Sequence, residues 1–269
     1  MNATKKIHAL LLVAFCGCLS VSISTETNRT ASPPKGMVLI PTGQYKPLFT
    51  AANDAKTVAV PGFYLDTLPV KNGEFLEFLR VNPKWRRSKV KPLFADSDYL
   101  KNWAGDLDPG PQALSDAPVT HVSWFAAKAY ATWKQKRLPA TAEWEYAAAA
   151  SPSRPDGEND PAFLATVRAW YTSPAQATLP SVGRGRPNCF GVFDLHGLVW
   201  EWVSDFNTAM VTGDARVDSG LDRQLFCGSG SNDARDRSDF PTFMRYGFRS
   251  SLKASYTVHN LGFRCAKDL

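Results

Sequence analysis

Residues 82–116 constrain this chain more than any other segment, because they lack apolar periodicity yet contain Trp85, Phe94, Tyr99 and Trp103. A stretch of that length exceeds an ordinary connection, and four large aromatics are incompatible with a solvated, disordered linker. The segment must pack on a domain or line a groove in it. Helical patterning elsewhere is short. Phe75, Leu76, Phe78 and Leu79 recur at helical spacing within residues 70–81, with Glu74, Glu77 and Arg80 opposite them. Ser123 is placed to cap a helix through Trp124, Ala127, Tyr130 and Trp133. Thr141 is placed to cap another through Trp144, Tyr146 and Ala147. Residues 37–41 read as a short strand ending at Pro41, and residues 58–65 as a strand kinked at Pro61-Gly62. The polar segment after Ala150, up to Pro161, reads as a surface loop, and the remainder as short apolar runs between glycine turns. Three modest helices, many short strands and no strand-helix-strand alternation make the fold class α+β rather than a wound parallel sheet.

The chain has 269 residues, 44% of them hydrophobic and 21% charged, which suits one soluble domain whose core needs neither metal nor disulfide to form. Residues 1–24 read as an export signal: Lys5 and Lys6 precede an apolar run over residues 9–15, and small Ser22 and Ser24 precede a cut before Thr25. That run is too short to span a bilayer, so the mature chain is expected to have no transmembrane segment. Cys18 offers a lipid-attachment alternative, with Phe15 a poor match to the leucine usual in such signals. The polar, proline-bearing residues 25–35 form a flexible leader, and residues 36–269 the folded domain. Cleavage would remove two lysines and no acid from a chain of net charge +6, a balance too mild for nucleic-acid binding. The basic cluster around Trp85-Arg86-Arg87 is either a solvated loop or a docking patch for an acidic partner. Export places the protein in the periplasm or outside the cell. Cys189, Cys227 and Cys265 are then an odd number of thiols in an oxidising compartment.

Six motifs occur in order: Gly36-Met37-Val38-Leu39-Ile40-Pro41, Pro69-Val70-Lys71-Asn72-Gly73-Glu74-Phe75, Pro118-Val119-Thr120-His121-Val122-Ser123-Trp124, Arg137-Leu138-Pro139-Ala140-Thr141-Ala142-Glu143-Trp144-Glu145, Gly197-Leu198-Val199-Trp200-Glu201-Trp202, and Asn260-Leu261-Gly262-Phe263-Arg264-Cys265. In this order and over nearly the whole mature chain, they resemble the formylglycine-generating-enzyme, or sulfatase-modifying-factor, family. The resemblance implies a C-type-lectin-like α+β fold with few short helices and strands and long irregular loops.

Two carboxylates flanking a glycine turn, Asp194 and Glu201, can converge with intervening carbonyls on a hard cation, or Glu201 can pair with an arginine. The resemblance implies a structural calcium site at Asp194, the carbonyls of Gly197 and Val199, and Glu201. It also places the family's copper-binding cysteines near Asn232 and Pro241, which offer cuprous ion no thiolate, so copper is not expected through the family site. Ser229, Arg249 and Asn260 match positions lining the substrate groove, although Arg249 and Asn260 could equally satisfy buried backbone groups. Cys227 and Cys265 could form a disulfide, and each could equally be an inert thiol. The runs Trp200-Glu201-Trp202-Val203 and Arg245-Tyr246-Gly247-Phe248-Arg249 look most like an exported, NirV-like branch encoded beside copper nitrite reductases. The expectation is a periplasmic accessory protein that binds a polypeptide while a copper or respiratory enzyme matures. The alternatives are an oxidoreductase in which Cys227, His196 or His259 replaces the lost pair, and a lectin-like carbohydrate binder resting on fold analogy.

Overall fold

The computed structural model describes residues 32–48, 57–174, 176, 178–207 and 239–269. The signal segment, most of the leader, and Cys227, Ser229 and Asn232 lie outside the described residues. A compact unit runs from Pro33 to Leu269. Its described strands are β1 (Met37–Ile40), β2 (Gly43–Tyr45), β3 (Val58–Val60), β4 (Phe63–Asp66), β5 (Trp200–Glu201), β6 (Leu261–Gly262) and β7 (Ala266–Asp268). The helices are α1 (Asn72–Val81), α2 (Trp124–Trp133), α3 (Thr141–Ala148), α4 (Pro161–Thr172) and α5 (Phe240–Ser251).

An antiparallel sheet of order β1-β4-β7 ties the start of the domain to its end. β2 and β3 form a second antiparallel pair, and β5 and β6 a short parallel one. Ile40, Phe63 and Leu65 of the first sheet join Phe75 and Phe78 of α1, Tyr130 of α2 and Phe263 in one buried core. Phe75 stacks on Tyr130 with ring centroids 5.3 to 6.4 Å from its other aromatic neighbours Phe78, Trp103 and Phe263. The architecture is the α+β arrangement of short elements and long connections that the sequence implies.

The long segment after α1 is packed down. Trp85, Tyr99 and Trp103 are buried, Trp103 donates from Nε1 to Asn72 Oδ1 at 3.0 Å, and the Tyr99 hydroxyl donates to the Trp85 carbonyl at 3.0 Å. Asn72 also donates to the carbonyls of Leu114 and Ala117, clamping the far end of the segment to the first turn of α1. Two of the clustered basic residues have structural work: Arg86 reaches the α1 carbonyls of Leu79 and Arg80, and Arg87 the carbonyl of Trp103. Arg86 thereby satisfies helix-end acceptors that α1 leaves open.

Ser123 caps α2 as its position predicts, its Oγ accepting from the Ala126 amide at 3.2 Å. α3 begins one residue earlier than expected, with Ala140 in the cap position. Thr141 faces inward instead, giving both its amide and its hydroxyl to Asp205 Oδ1, while the Glu143 carboxylate receives the Ala140 amide and a bidentate pair from Arg137. Two helices stand where loop and short apolar runs were expected. Pro161 opens α4 rather than closing a loop, because Asp160 accepts from the Phe163 amide and a proline in the first turn needs no amide partner. Asp239 and Pro241 start α5 in the same way.

Candidate functional site

α3, α4, α5 and the end of β2 enclose a cavity of about 320 Å³. The helices present residues to it by ordinary periodicity. On α3, Thr141, Trp144, Glu145 and Ala148 fall on one buried stripe, so Glu145 occupies a position where an apolar residue is usual. On α5, Thr242, Arg245, Tyr246 and Arg249 have the same spacing. Packing the two stripes together brings one carboxylate against two guanidiniums.

Arg245 makes a fork onto Glu145, with Nε 2.9 Å from Oε1 and Nη2 2.7 Å from Oε2, and Arg249 Nη1 lies 2.5 Å from Oε1. Arg245 also donates to Thr242 Oγ1 at 2.6 Å and to the Tyr171 hydroxyl at 3.1 Å, which joins α4 to the cluster. Both guanidiniums lie over the Trp144 ring, 5.6 and 4.9 Å from its centre. Burial by itself would raise the Glu145 carboxyl, but Arg245 and Arg249 outweigh it and hold the group at about 2. At the β2 edge the Tyr45 and Tyr246 hydroxyls share a 2.6 Å hydrogen bond, and burial pushes the Tyr246 phenol up to about 12.

His196 forms the floor. Its Nε2 is 2.9 Å from the Ala148 carbonyl, so that nitrogen carries the proton and caps the end of α3. The side-chain amide of Asn188 and the backbone amide of Gly157 serve the neighbouring carbonyls of Ala147 and Ala149. The other His196 nitrogen, Nδ1, is buried and receives no hydrogen bond among the described residues. Burial, reinforced by the nearby Arg245 charge, lowers the imidazole to about 4, so the ring is neutral at pH 7.

Among the groove positions taken from the resemblance, Arg249 is 4% exposed and committed to Glu145, a scaffold contact within α3 and α5. Asn260 is half-buried in the turn before β6, where its carbonyl accepts the Trp200 amide at 2.8 Å. Ser229 lies outside the described residues. Pro241 is buried in the first turn of α5 and lines the cavity. Cys265 is a fully buried thiol with no disulfide partner among the described residues, and Cys227, the partner that the sequence left open, lies outside them. Burial and the adjacent Asp66 carboxylate push the Cys265 thiol well up, which leaves it an inert core group. Cys189 is exposed and also free, with its thiol raised by partial burial.

Of the proposed calcium donors, Glu201 is held by Arg264. Glu201 receives Arg264 Nε and Nη2 on Oε1 at 3.0 and 2.8 Å, and Arg264 Nε and Trp144 Nε1 on Oε2 at 2.8 and 2.7 Å. Arg264 directs its remaining N–H groups to the carbonyls of Asp66, Thr67 and Phe193. Asp194, with a left-handed backbone at φ 58°, accepts the Gly183 amide on Oδ2 at 2.5 Å, and burial raises its carboxyl. The carbonyls of Gly197 and Val199 accept no backbone hydrogen bond among the described residues. As a set these donors do not fit calcium, because Glu201, which would supply the second charge, is already neutralised and its lone pairs filled by Arg264 and Trp144. Among the described residues no group of three His, Cys, Asp or Glu side chains could hold a metal ion.

Glu145 and Arg245, which organise the site, do not stand out from the sequence as site residues. Their signal was present as charged residues on otherwise buried helical stripes, and for α5 it required recognising the helix first.

The family model of the sulfatase-modifying factor enzyme 1-like domain matches residues 23–269. A formylglycine-generating enzyme of Bos taurus is 28% identical, over 88% of this chain and 76% of its own length. An inactive C-alpha-formylglycine-generating enzyme 2 of the same animal is also 28% identical, over 86% of this chain and 87% of its own. The solved structure of PvdO from Pseudomonas aeruginosa superposes with a TM-score of 0.50 at 23% identity, covering 87% of this chain and 94% of that one. The last of these is a likeness of fold.

Proposed function

The chain belongs to the formylglycine-generating-enzyme family, and from that membership we propose that it is an exported accessory protein that binds a polypeptide during maturation of a periplasmic copper or respiratory enzyme, of the nitrite-reductase-accessory type, and is not a formylglycine generator. Relatives named as formylglycine-generating enzymes and relatives named as inactive both match along most of the chain, so the reading rests on the residues. The observation that carries the reading is Pro241. By the family resemblance one copper thiolate would fall near it, and it is buried as a proline in the first turn of α5. Cuprous ion needs soft ligands, and a proline ring supplies none. The partner position is Asn232, which has no sulfur either. Of the described thiols, Cys265 is sealed in the core and Cys189 is exposed on a loop, so neither environment suits a paired site in a cleft. The export assignment rests on residues 1–24, and among the described residues no helix is long and apolar enough to cross a membrane.

The test is to incubate the purified protein with a sulfatase-type cysteine peptide, copper and oxygen, and to weigh the peptide. The expected result is unchanged mass; a loss matching conversion of the thiol to an aldehyde would overturn the proposal. Crosslinking in the periplasm is expected to join the chain to the immature copper enzyme. One observation favours a second reading, an oxidoreductase with altered chemistry: His196 is neutral at a cavity wall and has one nitrogen without a partner. Oxygen consumption with copper present and absent separates that reading from the first.

A further inference from the structure

We propose that the surface made by residues 81–93 and the exposed side of α2 docks the protein on an anionic phospholipid layer, with lysines against the headgroup phosphates and Val81, Leu93 and Trp133 at the boundary with the acyl chains. Docking of this kind does not depend on the accessory-protein reading.

Two runs of the chain contain no carboxylate. Residues 78–95 carry Arg80, Lys84, Arg86, Arg87, Lys89 and Lys91, and residues 117–142 carry Lys128, Lys134, Lys136 and Arg137. Packing sets the two runs side by side. Phe78 meets Trp133 with ring centroids 5.7 Å apart, Trp85 meets Phe94 at 5.9 Å, and Phe94 meets Phe125 at 5.4 Å. The segment that follows α1 therefore runs along α2 from its last turn toward its first.

The arginines of this surface are already engaged. Arg86 and Arg87 donate to backbone carbonyls, Arg80 pairs with Glu77, and Arg137 pairs with Glu143, while Lys136 is held by Asp66. Lys84, Lys89, Lys91, Lys128 and Lys134 remain, all exposed and none in a salt bridge among the described residues. Asp106 faces Arg86 and Lys89, and its carboxylate accepts the Ser88 amide and hydroxyl. One negative charge does not balance five lysines. Large apolar side chains stand among them: Leu93 is 74% exposed, Val81 62% and Trp133 37%. Lys134 Nζ lies 4.4 Å from the centre of the Trp133 ring, so cation and aromatic share one spot.

This composition favours a lipid layer over an acidic protein. Interfaces between proteins are enriched in arginine and depleted in lysine, because the guanidinium fork fits a carboxylate. Here the forks are turned to the protein's own backbone and acids, and the free cations are point charges on long apolar stems. Such side chains suit a fluid layer of phosphates beside an apolar boundary, where tryptophan is also common. The contact is a surface one, since among the described residues no helix is long and apolar enough to cross a membrane.

Residues 25–269 are the chain to test, because they keep the compact unit from Pro33 to Leu269 and leave out the apolar run over residues 9–15. At low salt this chain is expected to sediment with vesicles of phosphatidylcholine and phosphatidylglycerol in equal amounts, and to stay in solution with vesicles of phosphatidylcholine alone. Lys84→Gln, Lys89→Gln and Lys91→Gln together should weaken binding about 100-fold, and Leu93→Ser alone about tenfold. All four side chains are exposed, so the variants are expected to keep the wild-type circular dichroism. Failure to bind the anionic vesicles, equal binding to both kinds, or undiminished binding by the triple variant would overturn the proposal. So would capture of polyglutamate, lost in the triple variant, by a chain that ignores the vesicles, for the surface would then serve an acidic polypeptide. The comparison of the two vesicles is read on unsubstituted side chains, so it stands whether or not a variant folds.

Discussion

A single carboxylate, Glu145, compensates two buried guanidiniums, so the cluster tolerates loss of an arginine better than loss of the acid. Glu145→Gln leaves Arg245 and Arg249 as uncompensated buried charges and is expected to cost about 3–5 kcal/mol in urea unfolding. Arg249→Met should cost less, because Arg245 keeps its fork on the same carboxylate. The two depressed groups also divide the acid response. Glu145 lies at about 2 in the fold against an ordinary 4.5, so its contribution is complete above 4.5 and is lost as pH falls through 2. His196 lies at about 4 against an ordinary 6.5; the unfolded chain takes up that proton first, so stability falls as pH drops from 6.5 to 4. The His196 step is expected to be about 3 kcal/mol at most, measured by urea unfolding across that window, and to flatten in His196→Phe.

Helix ends explain where reading by pattern succeeded and failed. Ser123 was legible as a cap because a hydroxyl three residues before an amide in an apolar-periodic run has one common use. α4 carries an equally local signal, Asp160 followed by Pro161, but only Val167 on it is fully buried, so its apolar stripe is faint and the proline reads as a loop residue. α5 is harder still, since two of its inward positions are arginines and a glycine, Gly247, lies within it. Its start depends on Asp239, whose carboxylate accepts the Thr242 amide at 3.1 Å. Asp239→Ala should lower stability by about 1 kcal/mol in thermal or urea unfolding, and Asp239→Asn by much less, since the amide oxygen can cap.

Across the molecule, ion pairs between segments distant in the chain hold the short elements together. Arg264, beside the final strand, gathers Glu201 of β5, the end of β4 and Phe193, and it answers the choice posed by Glu201 in favour of an arginine partner. Adding EGTA is therefore expected to leave the melting temperature unchanged; a fall on chelation that calcium reverses would restore Glu201 to a metal. Order of motifs, cap residues and the breadth of aromatic content were enough to give the fold class, the first three helices and the family resemblance, because each depends on neighbours in sequence or on a pattern kept in sequence. Glu145 with Arg245 and Arg249, Glu201 with Arg264, and the unpartnered nitrogen of His196 came from packing alone. A charged residue on a buried stripe announces that it needs a partner, but which partner it finds is fixed when helices and strands far apart in the chain close on one another.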